Sequence, residues 1–223
     1  MEPINIPNSK SSFLIESSET KTSRAVIFLP GISGGVFSDK FIPFVAEGLN
    51  KGFTVVRVNA WENPKDVGQK TLTDIHNDIS YVFNYLQQQG YSSISAVGKS
   101  FGGTMLITLS GGTQNIKKQV LWSPVVGIRE QGSNVNVYMS APLGTLDTLQ
   151  DMYIDDEYAK NKNVQTLIIH GDADENISIS NSEKLVSILP NAQLFPIEGA
   201  NHSFSDKKHK EVLLQKTFEF LNS

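Results

Sequence analysis

Five short stretches most constrain the fold: Ala25–Leu29, Phe53–Val58, Ser93–Val97, Gln119–Trp122 and Val164–Ile169, each rich in β-branched residues and close to continuously apolar. A strand with one face in water alternates apolar and polar side chains, whereas a strand covered on both faces has no reason to alternate. These stretches therefore predict strands of a parallel sheet with helices on both faces. The segments between them carry helical spacing. In the longest, Leu72, Ile75, Ile79, Val82 and Leu86 recur every three or four residues, with Asp74, Asn77, Asp78 and Gln87 predicted on the opposite, polar side. Gly90 is a natural stop for that helix. Leu214, Phe218 and Leu221 form a similar stripe that docks a last helix. Strand and helix in alternation specify an α/β fold with right-handed crossovers.

A chain of 223 residues is compatible with one α/β domain, and no repeat, low-complexity tract or long linker divides it. The expectation is a single domain over residues 1–223 with a short lid-like insertion at about 124–162, where the rhythm of strands and helices lapses. The absence of Cys rules out disulfide scaffolding, a Cys-based zinc site and a thiol nucleophile. A net charge of −4, from 19 basic and 23 acidic residues well mixed along the chain, gives no general attraction to nucleic acid or anionic lipid. The first residues, MEPINIPNSK, lack a basic region followed by an apolar run, and no run of about 18 apolar residues occurs. A cytoplasmic protein without membrane association is the expectation.

The chemistry concentrates in Ala96-Val97-Gly98-Lys99-Ser100-Phe101-Gly102-Gly103. Gly-Lys-Ser ends a nucleotide-binding P-loop, but that loop requires a glycine five residues before Gly98, and Ser93 stands there. The residues between, Ile94–Val97, look like a strand instead of a phosphate-wrapping loop. Gly98-x-Ser100-x-Gly102 fits a nucleophile elbow, in which a strand, a sharp turn carrying Ser and an immediate helix follow one another. Glycines two before and two after the serine make room where chain segments approach too closely for side chains.

A serine hydroxyl is a weak nucleophile unless a histidine accepts its proton, and the histidine in turn needs a carboxylate to fix its tautomer. Of the four histidines, His76 falls near the polar side of the long helix and His209 lies among Lys207, Lys208 and Lys210, so both read as surface residues. His170 closes a buried strand and reads as shaping the turn that follows. His202 lies between the strand-like Gln193–Ile197 and the last helix, in a loop at the carboxyl edge of the sheet, where it can reach Ser100. The turn His170-Gly171-Asp172-Ala173-Asp174 follows a strand in the required chain order, serine then acid then histidine. Asp172 and Asp174 both qualify on chemistry alone.

From about Ala25 to Leu221 these motifs, in this order, resemble the α/β-hydrolase superfamily, in particular small esterases and dienelactone-hydrolase-like members with little or no cap. The resemblance implies a three-layer α/β-hydrolase fold, with Ser100 as nucleophile, Asp174 as acid, Asp172 at a variable position and His202 as base. The tetrahedral intermediate needs preorganised donors for its oxyanion. The Phe101 amide at a helix N-terminus is one candidate. The Ile32 amide is the other, in Pro30-Gly31-Ile32-Ser33-Gly34-Gly35, where relatives commonly carry His-Gly in place of Pro30-Gly31. No cofactor or metal is implied.

The expected activity is hydrolysis of a small-molecule carboxylic ester through an acyl-enzyme. A thioesterase, lactone hydrolase or small peptidase with the same triad is the alternative, as is a non-catalytic ligand-binding protein on the same fold. The insertion, with Tyr138, Met139, Leu143, Leu146, Met152 and Tyr153 beside Asp147, Asp151, Asp155, Asp156 and Glu157, is expected to be a small lid over an open site for short or mid-length acyl chains. Lys99 reads first as a charge paired with a carboxylate and second as a cation that favours an acidic substrate.

Overall fold

A computed structural model describes residues 2–109, 116–125, 127–129, 153–155 and 163–223. An eight-stranded sheet contains β1 (Ile4–Asn5), β2 (Ser12–Glu16), β3 (Arg24–Leu29), β4 (Thr54–Asn59), β5 (Ser93–Lys99), β6 (Ile116–Trp122), β9 (Gln165–Gly171) and β10 (Ala192–Ile197). Its spatial order is β1-β2-β4-β3-β5-β6-β9-β10. β1 pairs antiparallel with β2 and β2 antiparallel with β4 at one edge, and every other pair of this sheet is parallel. Two short strands, β7 (Gly127–Arg129) and β8 (Tyr153–Asp155), pair with each other apart from the main sheet. The rest of the expected lid lies outside the described residues.

Side-chain alternation along each central strand feeds two cores. On β3, Ala25, Ile27 and Leu29 face one layer while Val26 and Phe28 face the other. The first layer meets α3 (Leu72–Gln88), α4 (Phe101–Thr108) and α5 (Ile179–Ile188) through Ile75, Ile79, Met105 and Leu185. The second meets α1 (Ile42–Asn50) and α6 (Lys207–Asn222) through Phe44, Leu213, Phe218 and Leu221. The helix α2 (Pro64–Gln69) begins behind an Asn63 side chain that accepts from the amides of Lys65 and Asp66. A capping box between Thr71 and Asp74 starts α3, and Gly90, at φ 90°, follows its end.

Three expectations shift in detail. In the last helix Leu213, not Leu214, is buried together with Phe218 and Leu221. Asp78 is buried although the helical pattern assigns it to the polar side, because it accepts from Ser9, Ser11 and Lys70 at 3.0, 2.6 and 3.0 Å. His76 is also buried, with Nε2 3.1 Å from the Thr108 hydroxyl of α4. The antiparallel pair β1–β2 has no counterpart among the predicted strands.

Candidate active site

The parallel strands end together at one edge of the sheet, and the loops there carry the chemistry. β5 runs into α4 through Ser100, whose φ of 50° and ψ of −118° mark a strained turn. Its amide donates to the Trp122 carbonyl at 2.7 Å, tying the turn to the end of β6. The flanking glycines are required by contact. A Cβ on Gly98 would stand 2.5 Å from the Gly102 carbonyl oxygen, and one on Gly102 would stand 2.4 Å from that of Pro30. Ser100 is buried, with 7% of its surface exposed.

Three of the predicted side chains come together across 102 residues of chain. His202 Nε2 lies 3.2 Å from Ser100 Oγ, and His202 Nδ1 lies 2.7 Å from Asp174 Oδ2. With Nδ1–H donating to the carboxylate, Nε2 has its lone pair free to accept the serine proton. The Asp174 side chain is fully buried. Its Oδ1 accepts from the amides of Asn176 and Ile177 at 2.9 and 2.8 Å. Burial pushes this carboxyl toward protonation, but the donors around it prevail and hold it below the ordinary aspartate range.

His170 stands behind Asp174, with Nε2 3.2 Å from Asp174 Oδ2 and 2.9 Å from the Ile177 carbonyl oxygen. A carbonyl can only accept, so Nε2 carries the hydrogen and Nδ1 accepts from the Ser182 hydroxyl at 2.6 Å. Burial holds this imidazole below its ordinary range, and therefore neutral. It shapes the acid turn, as the sequence suggests.

The two candidate acids divide. Asp172 does not face His202; its Oδ1 accepts from the Gly199 amide at 2.7 Å, in the loop that carries the histidine. A Cβ on Gly171 would stand 2.1 Å from the Ala200 carbonyl oxygen, so acid turn and histidine loop are packed backbone to backbone.

The Gly31–Ile32 loop passes beside the elbow, where a Cβ on Gly31 would lie 3.6 Å from Ser100 Cβ. Among the described residues, neither the Ile32 nor the Phe101 amide donates to a protein acceptor. The loop is held by a residue that sequence reasoning missed. Trp61 Nε1 donates to the Gly31 carbonyl at 2.9 Å, and its indole meets the Phe101 ring edge-on at 5.0 Å. The available signal is its place just after a strand, on the same sheet edge as the other site loops.

Lys99 closes β5. Among the described residues it makes no ion pair, and it faces a cavity of about 320 Å³ shared with Lys40 and Lys210. Burial, then the positive charge of Lys40, lowers the pKa of its ammonium, with Asp174 partly opposing. No group of three or more His, Asp or Glu placed to hold a metal ion is found among the described residues, and no helix there is long and apolar enough to cross a membrane.

Known structures share this architecture. Est1E from Butyrivibrio proteoclasticus superposes with a TM-score of 0.77 at 16% identity, over 99% of this chain and 96% of that one. Naproxen esterase (carboxylesterase NP) from Bacillus subtilis gives 0.76 at 15% identity, over 98% and 90%. A variant of the meta-cleavage product hydrolase CumD from Pseudomonas fluorescens IP01 gives 0.75 at 15% identity, over 100% and 97%. Likeness at such low identity establishes a common α/β-hydrolase fold and nothing finer. No curated protein matches the sequence. The sequence profile of the prolyl oligopeptidase family matches residues 57–223, a span that includes Ser100, Asp174 and His202. Most of the chain being covered by that match, the protein belongs to the prolyl oligopeptidase family of peptidase S9.

Proposed function

We propose that the protein hydrolyses carboxylic esters through an acyl-enzyme, with Ser100 as nucleophile, His202 as general base and then acid, and Asp174 as the carboxylate that orients the imidazole. The observation that carries this reading is the hydrogen-bonded relay of 2.7 Å from Asp174 to His202 and 3.2 Å from His202 to Ser100. As Ser100 Oγ bonds to the acyl carbon, its proton passes to His202 Nε2. The carbonyl π electrons move onto oxygen, where the Ile32 and Phe101 amides are the candidate donors. Collapse of the intermediate expels the alkoxide, which takes the proton from His202; water then repeats the sequence and releases the acid and Ser100. Asp174 stays ionised throughout, consistent with its lowered pKa.

Support for an ester over other acyl substrates comes from the similar structures, among them Est1E with bound ferulic acid and the naproxen esterase. The family match favours a second reading, a small peptidase using the same three residues. The discriminating experiment treats the protein with a fluorophosphonate probe, maps the adduct by mass spectrometry, and compares an aryl ester with an anilide of the same acyl group. Labelling at Ser100, absent in Ser100→Ala, with the ester turned over much faster than the anilide is the expected result. A folded protein that neither labels nor turns over either substrate would reject the hydrolase, and anilide cleavage at a comparable rate would move the assignment to the peptidase.

A further inference from the structure

Beside the elbow lies the cavity of about 320 Å³ into which Lys99 faces, a volume at the lower end of small-molecule pockets. Its walls contain Lys99, Lys40 and Lys210, and no carboxylate among the described residues. Lys40 rests over the Phe41 ring, its Nζ 4.9 Å from the centroid, and makes no ion pair among the described residues. The floor is apolar, formed by Phe44, Trp122 and Leu213. Three of the lining positions are chain neighbours of the site residues: Ser33 follows Ile32, Lys99 precedes Ser100, and Ser203 follows His202. The cavity is thus built from the same loops as the candidate active site.

Three ammonium groups with no carboxylate beside them in the described lining are mutually repulsive, and a nearby anion relieves that repulsion. An apolar floor beneath them suits a hydrocarbon segment that ends in the anion. Water-exposed Lys40 and Lys210 supply attraction at the mouth, while Lys99, more deeply set, supplies the contact least screened by solvent. The depressed pKa of Lys99, set first by burial and then by Lys40, accords with a cation that makes no ion pair among the described residues.

We infer that this cavity receives an anionic arm of the substrate, so that the preferred esters are those whose acyl chain ends in a carboxylate, such as half-esters of dicarboxylic acids. This inference rests on the hydrolase reading above and names its substrate class.

The test compares kcat/KM for mono-4-nitrophenyl adipate and for 4-nitrophenyl hexanoate, which match in chain length and differ in the terminal charge. The expected ratio of adipate to hexanoate is about ten or more at low ionic strength, decreasing as salt is added. It should collapse toward one in Lys99→Met and fall below one in Lys40→Glu/Lys210→Glu. Reading the ratio within each variant separates charge recognition from any general loss of activity. In parallel, Ser100→Ala is titrated calorimetrically with free adipate and with inorganic phosphate, before and after Lys99→Met. A ratio near one in the wild type that does not respond to the lysine substitutions overturns the inference, as does phosphate binding with no preference among the esters, which would make the cavity a site for a separate anion. If neither ester turns over and the fluorophosphonate does not label, the hydrolase reading fails; the cavity is then judged by the titration, where adipate binding that disappears in Lys99→Met supports an anion site and absence of binding overturns it.

Discussion

Ser100 occupies a backbone region that costs a non-glycine residue about 1–3 kcal/mol and persists only where surrounding structure enforces it. Here the enforcement is visible: the Trp122 carbonyl holds the Ser100 amide, and Gly98 and Gly102 yield the space. A comparable division of labour separates the two aspartates of the acid turn. Chemistry alone leaves Asp172 and Asp174 equivalent in the sequence, but Asp174 receives the imidazole N–H while Asp172 receives a loop amide. Asp174→Asn presents an amide where a full negative charge now fixes the tautomer of His202, and should lower kcat by about three to four orders of magnitude, in line with other triads. Asp172→Asn keeps an oxygen for the Gly199 amide and should cost less than about tenfold. Ester kinetics on both variants check this, and the reverse ranking would move the acid to Asp172.

At the scale of elements, the site is an arrangement of loops pressed together by close backbone contact. The N-terminus of α4 rests on the end of β3, with the Gly102 Cα facing the carbonyls of Leu29 and Pro30. Gly102→Ala would place a methyl 2.5 Å from the Leu29 oxygen and 2.4 Å from the Pro30 oxygen, and neither is a flexible side-chain end that can swing away. The helix start must shift, carrying Ser100 and Phe101 away from the loop of Ile32. The expected outcome is a loss of more than about 2 kcal/mol of stability and at least a hundredfold fall in kcat. Gly52→Ala is the control, since nothing lies within 4 Å of its Cβ and the penalty is confined to a left-handed φ of 80°, about 1–2 kcal/mol with turnover retained. Urea titrations and ester kinetics on the pair test the idea, and equal losses of activity would sink it.

The whole molecule should be acid-sensitive for reasons located at the site. His170 and Asp174 both have folded-state pKa values lowered relative to their ordinary ones. In each case the unfolded chain binds the proton more readily over the interval between the two values, so stability rises with pH there and falls on acidification. The His170 contribution begins to be lost below about pH 6.5, and that of Asp174 below about pH 4. Urea midpoints measured at pH 7, 5.5 and 4 should fall, with a slope of at most about 1.4 kcal/mol per pH unit for each proton. His170→Gln should flatten the segment between pH 6.5 and 5.5; a wild-type midpoint that stays level across it would contradict the account.

The central strands were legible because burial on both faces leaves a local trace, an uninterrupted apolar run. The elbow was legible because strand, glycines and serine are contiguous, and the order of acid and histidine motifs led to the same family of folds. His76 and Asp78 were misassigned because periodicity sees polarity and not partners: Asp78 is buried by hydrogen bonds from Ser9 and Ser11, 69 and 67 residues away. Trp61 escaped notice for the same reason, since its acceptor on Gly31 lies 30 residues earlier. The sequence by itself determined the α/β class, the turn that presents Ser100 and the short choice of acids and bases, since each depends on neighbours along the chain. The tertiary structure decided what chemistry along the chain leaves open and only the family resemblance implies, that Asp174 and not Asp172 meets His202, and it alone decided that Lys99 shares a cavity with two other lysines and no carboxylate among the described residues, because those facts depend on which loops the sheet brings to its carboxyl edge.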